Sequence, residues 1–157
     1  MPSKINYDVN ILTVQLKNYC ALQEKCCLDI IHKMQKLGIS KSDERNVLEI
    51  LIKENYIDEA RYSKSFARGK FKIKKWGKRK IINELKQKKI SQINITNCLD
   101  EISDVEYSEE LDRQLHKKKE TIKKTDYFTK KKKIAYYLIN KGYESNLVWD
   151  KLRELKE

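Results

Sequence analysis

The sequence contains very little proline and glycine. Pro2 is its one proline, and its four glycines are Gly38, Gly69, Gly77 and Gly142. Hairpins and linkers between domains are usually marked by clusters of Gly, Pro, Asn and Ser, and no such cluster stands out. Strands and long linkers are therefore not expected. The 157 residues can form one domain or a few small units.

Long apolar runs are also missing. No stretch approaches the ~20 apolar residues of a membrane-spanning helix, and the N-terminal stretch MPSKINYDVNILTVQL lacks the unbroken apolar segment of a signal peptide. The four cysteines match no metal-binding spacing, and no role follows for the adjacent pair Cys26 and Cys27. We expect a cytoplasmic protein with no membrane partner and with reduced, buried thiols at Cys20, Cys26, Cys27 and Cys98.

Residues typical of catalysis are scarce. The two histidines, His32 and His116, have no Cys, Asp or Ser partner at a recognisable spacing, and we expect both at the surface or its boundary. No phosphate-binding loop, dinucleotide-binding, zinc-protease or serine-hydrolase motif is present. The adjacent carboxylates Asp58 and Glu59 favour a helix start over an acid–base pair. The sequence therefore predicts no enzyme, no cofactor and no metal site.

Positive charge is abundant and unevenly distributed. The net charge is +12, made up of +1 in residues 1–57, +8 in residues 58–102 and +3 in residues 103–157. A positive field concentrated in the middle of the chain suits a polyanionic partner, with nucleic acid the first candidate. A solvated lysine-rich surface explains the charge alone equally well.

One helical pattern occurs three times, 51 and then 53 residues apart, when the chain is aligned on Gly38, Lys89 and Gly142. Such self-similarity is typical of repeat proteins. The glycines suit a left-handed helix end, and we expect Lys89 to end its helix with another geometry. Eight positions before the anchor stand Ile30, Ile81 and Ile134, and four before it stand Met34, Leu85 and Leu138. The residue after the anchor is Ile39, Ile90 or Tyr143, and the next is Ser40, Ser91 or Glu144.

A further helical stretch precedes each copy, near residues 10–25, 58–72 and 105–122. The sequence thus predicts an all-α protein of three tandem three-helix repeats, about nine helices without strands, in an elongated, curved, right-to-left array. We assign the repeats to residues 1–55, 56–103 (the basic one) and 104–157. A body of this kind has a long surface and no deep central cavity, which disfavours a small-molecule enzyme.

Two basic clusters are the candidate binding surface. Phosphates require rows of cations, and aromatic side chains can add base stacking. We nevertheless expect Trp76 and Phe128 to be core residues at helix corners. A dimeric helix-turn-helix protein is a rival interpretation, but no recognition helix is evident. The candidate partner- or DNA-binding residues are Arg68, Lys70, Lys72, Lys74, Lys75, Lys78, Arg79, Lys80, Lys130, Lys131, Lys132 and Lys133.

Three segments carry a family resemblance. The stretch YIDEARY (56–62), continuing to Phe66, resembles the signature of the RecX family, regulators of the RecA recombinase. WGKRKIINEL (76–85) is similar to that family's middle-repeat helix, and KKKKIAYYLINKGYESNLVWDKL (130–152) resembles its closing repeat. The resemblance covers about residues 10–156. The residues we interpret as architectural are Asp58, Arg61, Tyr62, Trp76, Gly77 and Gly142.

Two positions depart from the family pattern. Lys89 stands where a glycine is expected, which affects the geometry of that turn, and residues 120–130 are unusually rich in lysine. Neither departure affects the repeats.

The resemblance implies a cytoplasmic, non-enzymatic protein of three tandem three-helix repeats, and we expect a monomer. It would bind in the groove of a RecA–DNA filament and modulate, usually inhibit, ATP hydrolysis and strand exchange in recombination, DNA repair and the SOS response. Direct contact with single- or double-stranded DNA stays open. The alternatives are a general basic nucleic-acid-binding protein that needs no recombinase, and a helical adaptor for another acidic protein.

Overall fold

The structure is a computed structural model that describes residues 8–155. Nine helices and no strand occur among the described residues, which confirms the all-α prediction of three groups of three helices. The helices are α1 (Val9–Leu22), α2 (Cys27–Lys36), α3 (Lys41–Lys53), α4 (Glu59–Lys72), α5 (Lys78–Gln87), α6 (Gln92–Leu99), α7 (Asp104–Thr121), α8 (Tyr127–Asn140) and α9 (Ser145–Arg153).

Helices α1–α3 pack around a core of their own. The sequence places apolar side chains at helical spacing on α1 and α2, and Leu12, Leu16, Ile30 and Met34 are almost completely buried together with Leu51 of α3. The contacts of α3 with both α1 and α2 close this first three-helix bundle.

Helices α4–α9 share a second, larger core. Helix α4 packs on α5 and α6, and α8 packs on α7 and α9. Buried residues from both groups, such as Leu85 of α5 and Leu138 of α8, belong to one continuous apolar cluster. The second and third groups are thus joined through their cores. The limits 1–55, 56–103 and 104–157 remain our proposed division of the chain.

The three anchor residues end their helices in the same way. Gly38, Lys89 and Gly142 all have left-handed backbones, with φ of 73°, 59° and 106°. In each case the next residue donates its N–H to the carbonyl five positions back, at 3.1–3.2 Å, as in a Schellman motif. The expectation of a different geometry at Lys89 is therefore wrong. The hydrogen bonds retain the left-handed conformation although it costs a non-glycine residue roughly 1–2 kcal/mol.

The chain exposes more surface than a compact protein of its size. Its accessible surface is 10631 Å², whereas a compact monomer of 18.8 kDa has about 8,300 Å². This excess agrees with an elongated body, while the curvature and direction of the array stay predictions. Within residues 8–155, no helix combines the length and apolar character needed to cross a membrane.

Candidate partner-binding surface

The basic corner comprises residues 68–80, where α4 ends and α5 begins. Helix α4 starts at Asp58, whose Oδ1 accepts a hydrogen bond from the Arg61 N–H at 3.0 Å. At its other end, Lys75 takes a left-handed conformation with φ of 60°. The Trp76 N–H then donates to the Lys70 carbonyl at 3.1 Å. The connection is therefore a closed turn with a defined backbone.

Trp76 organises two of the cations. Its half-buried ring packs edge-on against Phe66, with 6.3 Å between the ring centroids. The Nζ atoms of Lys70 and Lys80 lie 4.9 Å and 4.6 Å from the Trp76 ring centroid. Cation–π attraction of this kind holds both ammonium groups close to one ring. Trp76 thus belongs to the packed corner and also positions charge at its surface.

Three of the predicted basic residues are paired with carboxylates. Arg68 Nη2 lies 2.5 Å from Glu101 Oε2. Lys78 Nζ lies 3.8 Å from Asp104 Oδ1, and Lys75 Nζ lies 3.9 Å from Glu110 Oε1. These three cations are partly neutralised where they stand, so they are weaker candidates for contacting a partner.

The other five predicted residues of the corner have no carboxylate within ion-pair distance among residues 8–155. Lys72, Lys74 and Arg79 are exposed, and Lys70 and Lys80 are the pair held on Trp76. Ile73, in the same segment, is 77% exposed. We call this set the corner cations: Lys70, Lys72, Lys74, Arg79 and Lys80.

A groove of about 570 Å³ adjoins the corner. Side chains from the first helix group, including Tyr19 and Lys25, form part of its lining, and Phe66, Lys70 and Trp76 form another part. Carboxylates line it as well, so this groove is mixed in charge.

The corner is docked on the end of α8 through two glycines. The Gly77 N–H donates to the Lys141 carbonyl and the Arg79 N–H donates to the Gly142 carbonyl, both at 2.9 Å. The free N–H groups at the start of α5 thereby pair with free carbonyls at the end of α8. A Cβ at Gly77 would lie 2.2 Å from the Gly142 carbonyl carbon. Only glycine permits this backbone approach.

Two buried tyrosine hydroxyls complete the docking. Tyr143 donates to the Lys75 carbonyl at 2.9 Å. Tyr107 accepts from the Lys78 N–H at 3.0 Å and donates to Glu144 at 2.7 Å. Burial raises the pKa of both phenols far above the usual range, which keeps them neutral and able to donate. Tyr143 occupies a repeat position that is isoleucine in the other two copies, and nothing local in the sequence indicates the distant partners of either hydroxyl.

Polar contacts attach the first helix group to α4 and α5. Arg61 Nε lies 2.6 Å from Glu24, and its Nη2 donates to the Asn55 carbonyl at 2.9 Å. Lys88 Nζ lies 2.6 Å from Asp29 Oδ1. Burial alone would raise the pKa of Asp29, but the hydrogen bonds from Lys88 and the Cys26 N–H lower it overall. Tyr62, also part of the motif, is buried in the larger core.

The four consecutive lysines of α8 do not form one surface. Lys132 and Lys133 are exposed and face a cleft between α7 and α8. Lys131 Nζ instead lies 4.2 Å from the Tyr127 ring centroid, and Lys130 is half-buried outside that cleft. Four adjacent residues spread around most of a helix turn, which explains the separation.

Phe128 is 75% exposed, so the expectation that it is a core residue is wrong. Tyr127 takes the inward position, and its hydroxyl donates to the Leu155 carbonyl at 2.7 Å.

The remaining reactive side chains are dispersed. His32 and His116 are exposed, as expected. All four thiols are free; three are buried as expected, whereas Cys27 is half-buried. Burial raises the pKa of Cys27 and of Cys98 to about 11, so both are protonated at neutral pH. No group of three or more His, Cys, Asp or Glu side chains in the described part of the chain could hold a metal ion.

Three-helix units in tandem, with an exposed cationic corner of the second unit docked on the third, define a helical-repeat protein. The model of the RecX second three-helix domain matches residues 58–99, and that of the third three-helix domain matches residues 104–152. The chain belongs to the RecX family.

Individual relatives agree with this assignment. The chain is 28% identical to regulatory protein RecX of Lactobacillus johnsonii over 130 residues, covering 83% of this chain and 48% of the relative. It is 24% identical to regulatory protein RecX of Bacillus cytotoxicus over 152 residues, covering 97% and 56%. The chain thus spans about half the length of these curated relatives.

Two crystal structures share the fold. One, of a regulatory protein RecX, superposes with a TM-score of 0.85 at 19% identity, covering 94% of this chain and 73% of that one. RecX from Lactobacillus salivarius superposes with a TM-score of 0.81 at 20% identity, covering 93% and 94%.

Proposed function

We propose that this protein binds the RecA recombinase filament on DNA and modulates it, most often by inhibiting ATP hydrolysis and strand exchange. Membership of a family of regulatory proteins supports this role. The observation that carries it for this chain is the corner, a segment whose backbone is fixed from both sides. Five of its cations have no carboxylate partner among residues 8–155. No catalytic chemistry is part of the proposal.

The corner can act as a rigid contact because few of its parts must be ordered on binding. Trp76 holds two ammonium groups in place, and the hydroxyl of Tyr143 holds the turn that precedes them. Pre-organised groups lose less conformational entropy when they bind, so more of the electrostatic attraction appears as affinity. An acidic protein surface, DNA phosphates or both would complement this charge.

Inhibition follows from the shape. An elongated helical body lying in the filament groove contacts more than one recombinase protomer. A ligand that binds neighbouring protomers in one arrangement opposes the motions that couple nucleotide turnover to strand exchange.

The test is DNA-stimulated ATP hydrolysis by the cognate RecA, with the protein titrated against a fixed amount of single-stranded DNA. Inhibition at substoichiometric protein, not relieved by additional DNA, supports action on the filament. Inhibition only at protein levels that coat the DNA, and relieved by more DNA, would instead indicate a general nucleic-acid-binding protein. An unchanged rate at every level of protein would overturn the proposal.

A further inference from the structure

A second concave surface, lined by lysines, lies between α7 and α8 and has a volume of about 850 Å³. It shares no lining residue with the groove beside the corner. We call it the α7–α8 cleft and define it by the side chains that dominate its walls: Lys118, Lys123, Lys132, Lys133, Tyr136 and Tyr137.

The cleft carries one sign of charge. Four lysines line it and no carboxylate does, in contrast to the groove beside the corner. Within residues 8–155, none of these four lysines lies within ion-pair distance of a carboxylate. Cations of one sign in a concave surface concentrate the field there and attract an anionic ligand.

The ring of Tyr136 is exposed at the wall of the cleft. Its side chain is 73% exposed, and its hydroxyl makes no hydrogen bond within the described residues. It follows Lys132 and Lys133 by four and three positions on α8, so the three side chains share one face of the helix. A large flat ring is thus displayed beside two ammonium groups.

The neighbouring ring is held in place. The Nζ of Lys118 lies 4.7 Å from the centroid of the Tyr137 ring. The Nζ of Lys141 donates to the Tyr137 hydroxyl at 3.3 Å and to Gln114 Oε1 at 3.0 Å. One wall of the cleft is therefore fixed, and Tyr136 is the ring left free for a ligand.

We propose that the α7–α8 cleft binds single-stranded nucleic acid, with a base stacked on Tyr136 and the adjacent phosphates on Lys118, Lys132 and Lys133. A single strand offers phosphates and unpaired base faces together, which matches lysines interleaved with an exposed aromatic ring. A duplex hides its base faces, and an acidic peptide would use the lysines without needing the ring. The site goes beyond the filament binding proposed above and needs no recombinase.

The first test measures binding of the whole chain to a fluorescein-labelled oligothymidine by fluorescence anisotropy, without recombinase. K132Q/K133Q removes two cleft lysines, and K36Q/K41Q removes the same charge from exposed positions in the first helix group, outside both basic clusters. We expect the slope of log Kd against the logarithm of salt concentration to fall by about 1.4 for the first variant, since each single-strand phosphate contact contributes about 0.7 to that slope. The control variant should retain the parent slope. Equal losses in both variants, or no binding by the parent, overturn the proposal.

The second test isolates the ring. Y136A should weaken binding about 5- to 150-fold, as expected for one lost stacking contact, while Y136F should bind like the parent. On an oligomer of abasic deoxyribose phosphates, Y136A and the parent should bind equally. An Ala variant that binds oligothymidine like the parent contradicts the proposal, and so does equally effective competition by an oligoglutamate. Unchanged far-ultraviolet circular dichroism shows that each variant is folded.

Discussion

Gly77 and Gly142 lie in direct backbone contact although they are 65 residues apart in the sequence. One begins α5 and the other ends α8, so the contact joins a helix start to a helix end. The hydrogen bonds that cross it fix the basic corner on the third helix group. Much of the candidate surface depends on this pair.

The first prediction concerns the space at this contact. G77A places a methyl group 2.2 Å from backbone atoms of residues 142 and 143, so the helices must separate. We expect a loss of about 1–3 kcal/mol, the usual effect of overpacking, or more. The measurement is the free energy of unfolding in urea.

Gly69 provides the matched control for that measurement. It lies inside α4, and a Cβ there meets no atom within 4 Å. G69A should therefore stabilise the protein by about 0.5–1 kcal/mol through helix propensity. If G77A were no more destabilising than G69A, the close approach would not exist in solution.

The second prediction concerns the corner cations. K72Q/K74Q/R79Q removes three exposed charges that have no carboxylate partner in the described chain. At about 0.5 kcal/mol for each exposed charge, binding to the RecA filament should weaken on the order of tenfold. The measurement is the protein concentration that gives half-maximal inhibition of ATP hydrolysis.

A control for charge alone is available in the first helix group, where K36Q/K41Q/R45Q removes the same three charges from exposed positions. This variant should inhibit like the parent. Equal loss in both variants would mean that net charge, and not the corner, determines binding.

The third prediction concerns the pair Asp29 and Lys88. Burial opposes the charge on Asp29, but its hydrogen bonds lower its pKa overall, while the hydrogen bond from Lys88 to Asp29 raises the pKa of Lys88. The pair therefore adds stability above the ordinary aspartate pKa of 3.8 and below the ordinary lysine pKa of 10.5. That stability is lost as pH falls through the lowered pKa of Asp29.

D29N should therefore lower the free energy of unfolding by about 1 kcal/mol at neutral pH, since Lys88 is partly exposed. Asparagine keeps an acceptor for the Cys26 N–H and removes only the charge. Urea titrations at several pH values should show the difference between D29N and the parent shrinking as aspartate becomes protonated. A difference that stays constant with pH would show that the ion pair is not its source.

The fourth prediction concerns the hydroxyl of Tyr143. Y143F removes the hydrogen bond to the Lys75 carbonyl and should destabilise the protein by about 1 kcal/mol. The amide protons of residues 73–77 should exchange faster, because the turn loses its support. Y136F is the control, since the Tyr136 ring is largely exposed, and it should change neither quantity. Unchanged exchange in Y143F would mean that the turn is held by its own backbone.

The sequence was sufficient to predict the helices and their order because their signals are local. Gly38 and Gly142 mark helix ends because glycine readily adopts the left-handed backbone found there. Ser40 and Ser91 cap the helices that follow, and each side chain accepts a hydrogen bond from an N–H three residues later. The same reasoning failed at Lys89, where hydrogen bonds outweigh the preference of the residue for ordinary backbone angles.

The candidate surface could be located from the sequence but not resolved into its parts. Counting lysines could not show that Arg68, Lys75 and Lys78 meet carboxylates carried by later segments. Nor could it separate Lys132 and Lys133 from their two neighbours on the same helix. These distinctions depend on contacts between distant parts of the chain, which composition and periodicity do not contain.

The division of the interior into two cores determines which helix groups can be exchanged with those of a related protein. Helices α1–α3 enclose their own apolar residues. They meet the remainder through two ion pairs, a hydrogen bond from the Cys27 N–H to Glu59, and the packing of Cys26 and Leu28 on the larger core. A chimaera that takes these three helices from another member of the family has to match these few contacts. Exchange of the second or third group alone would cut through a continuous apolar interior. The second and third groups should therefore be exchanged together.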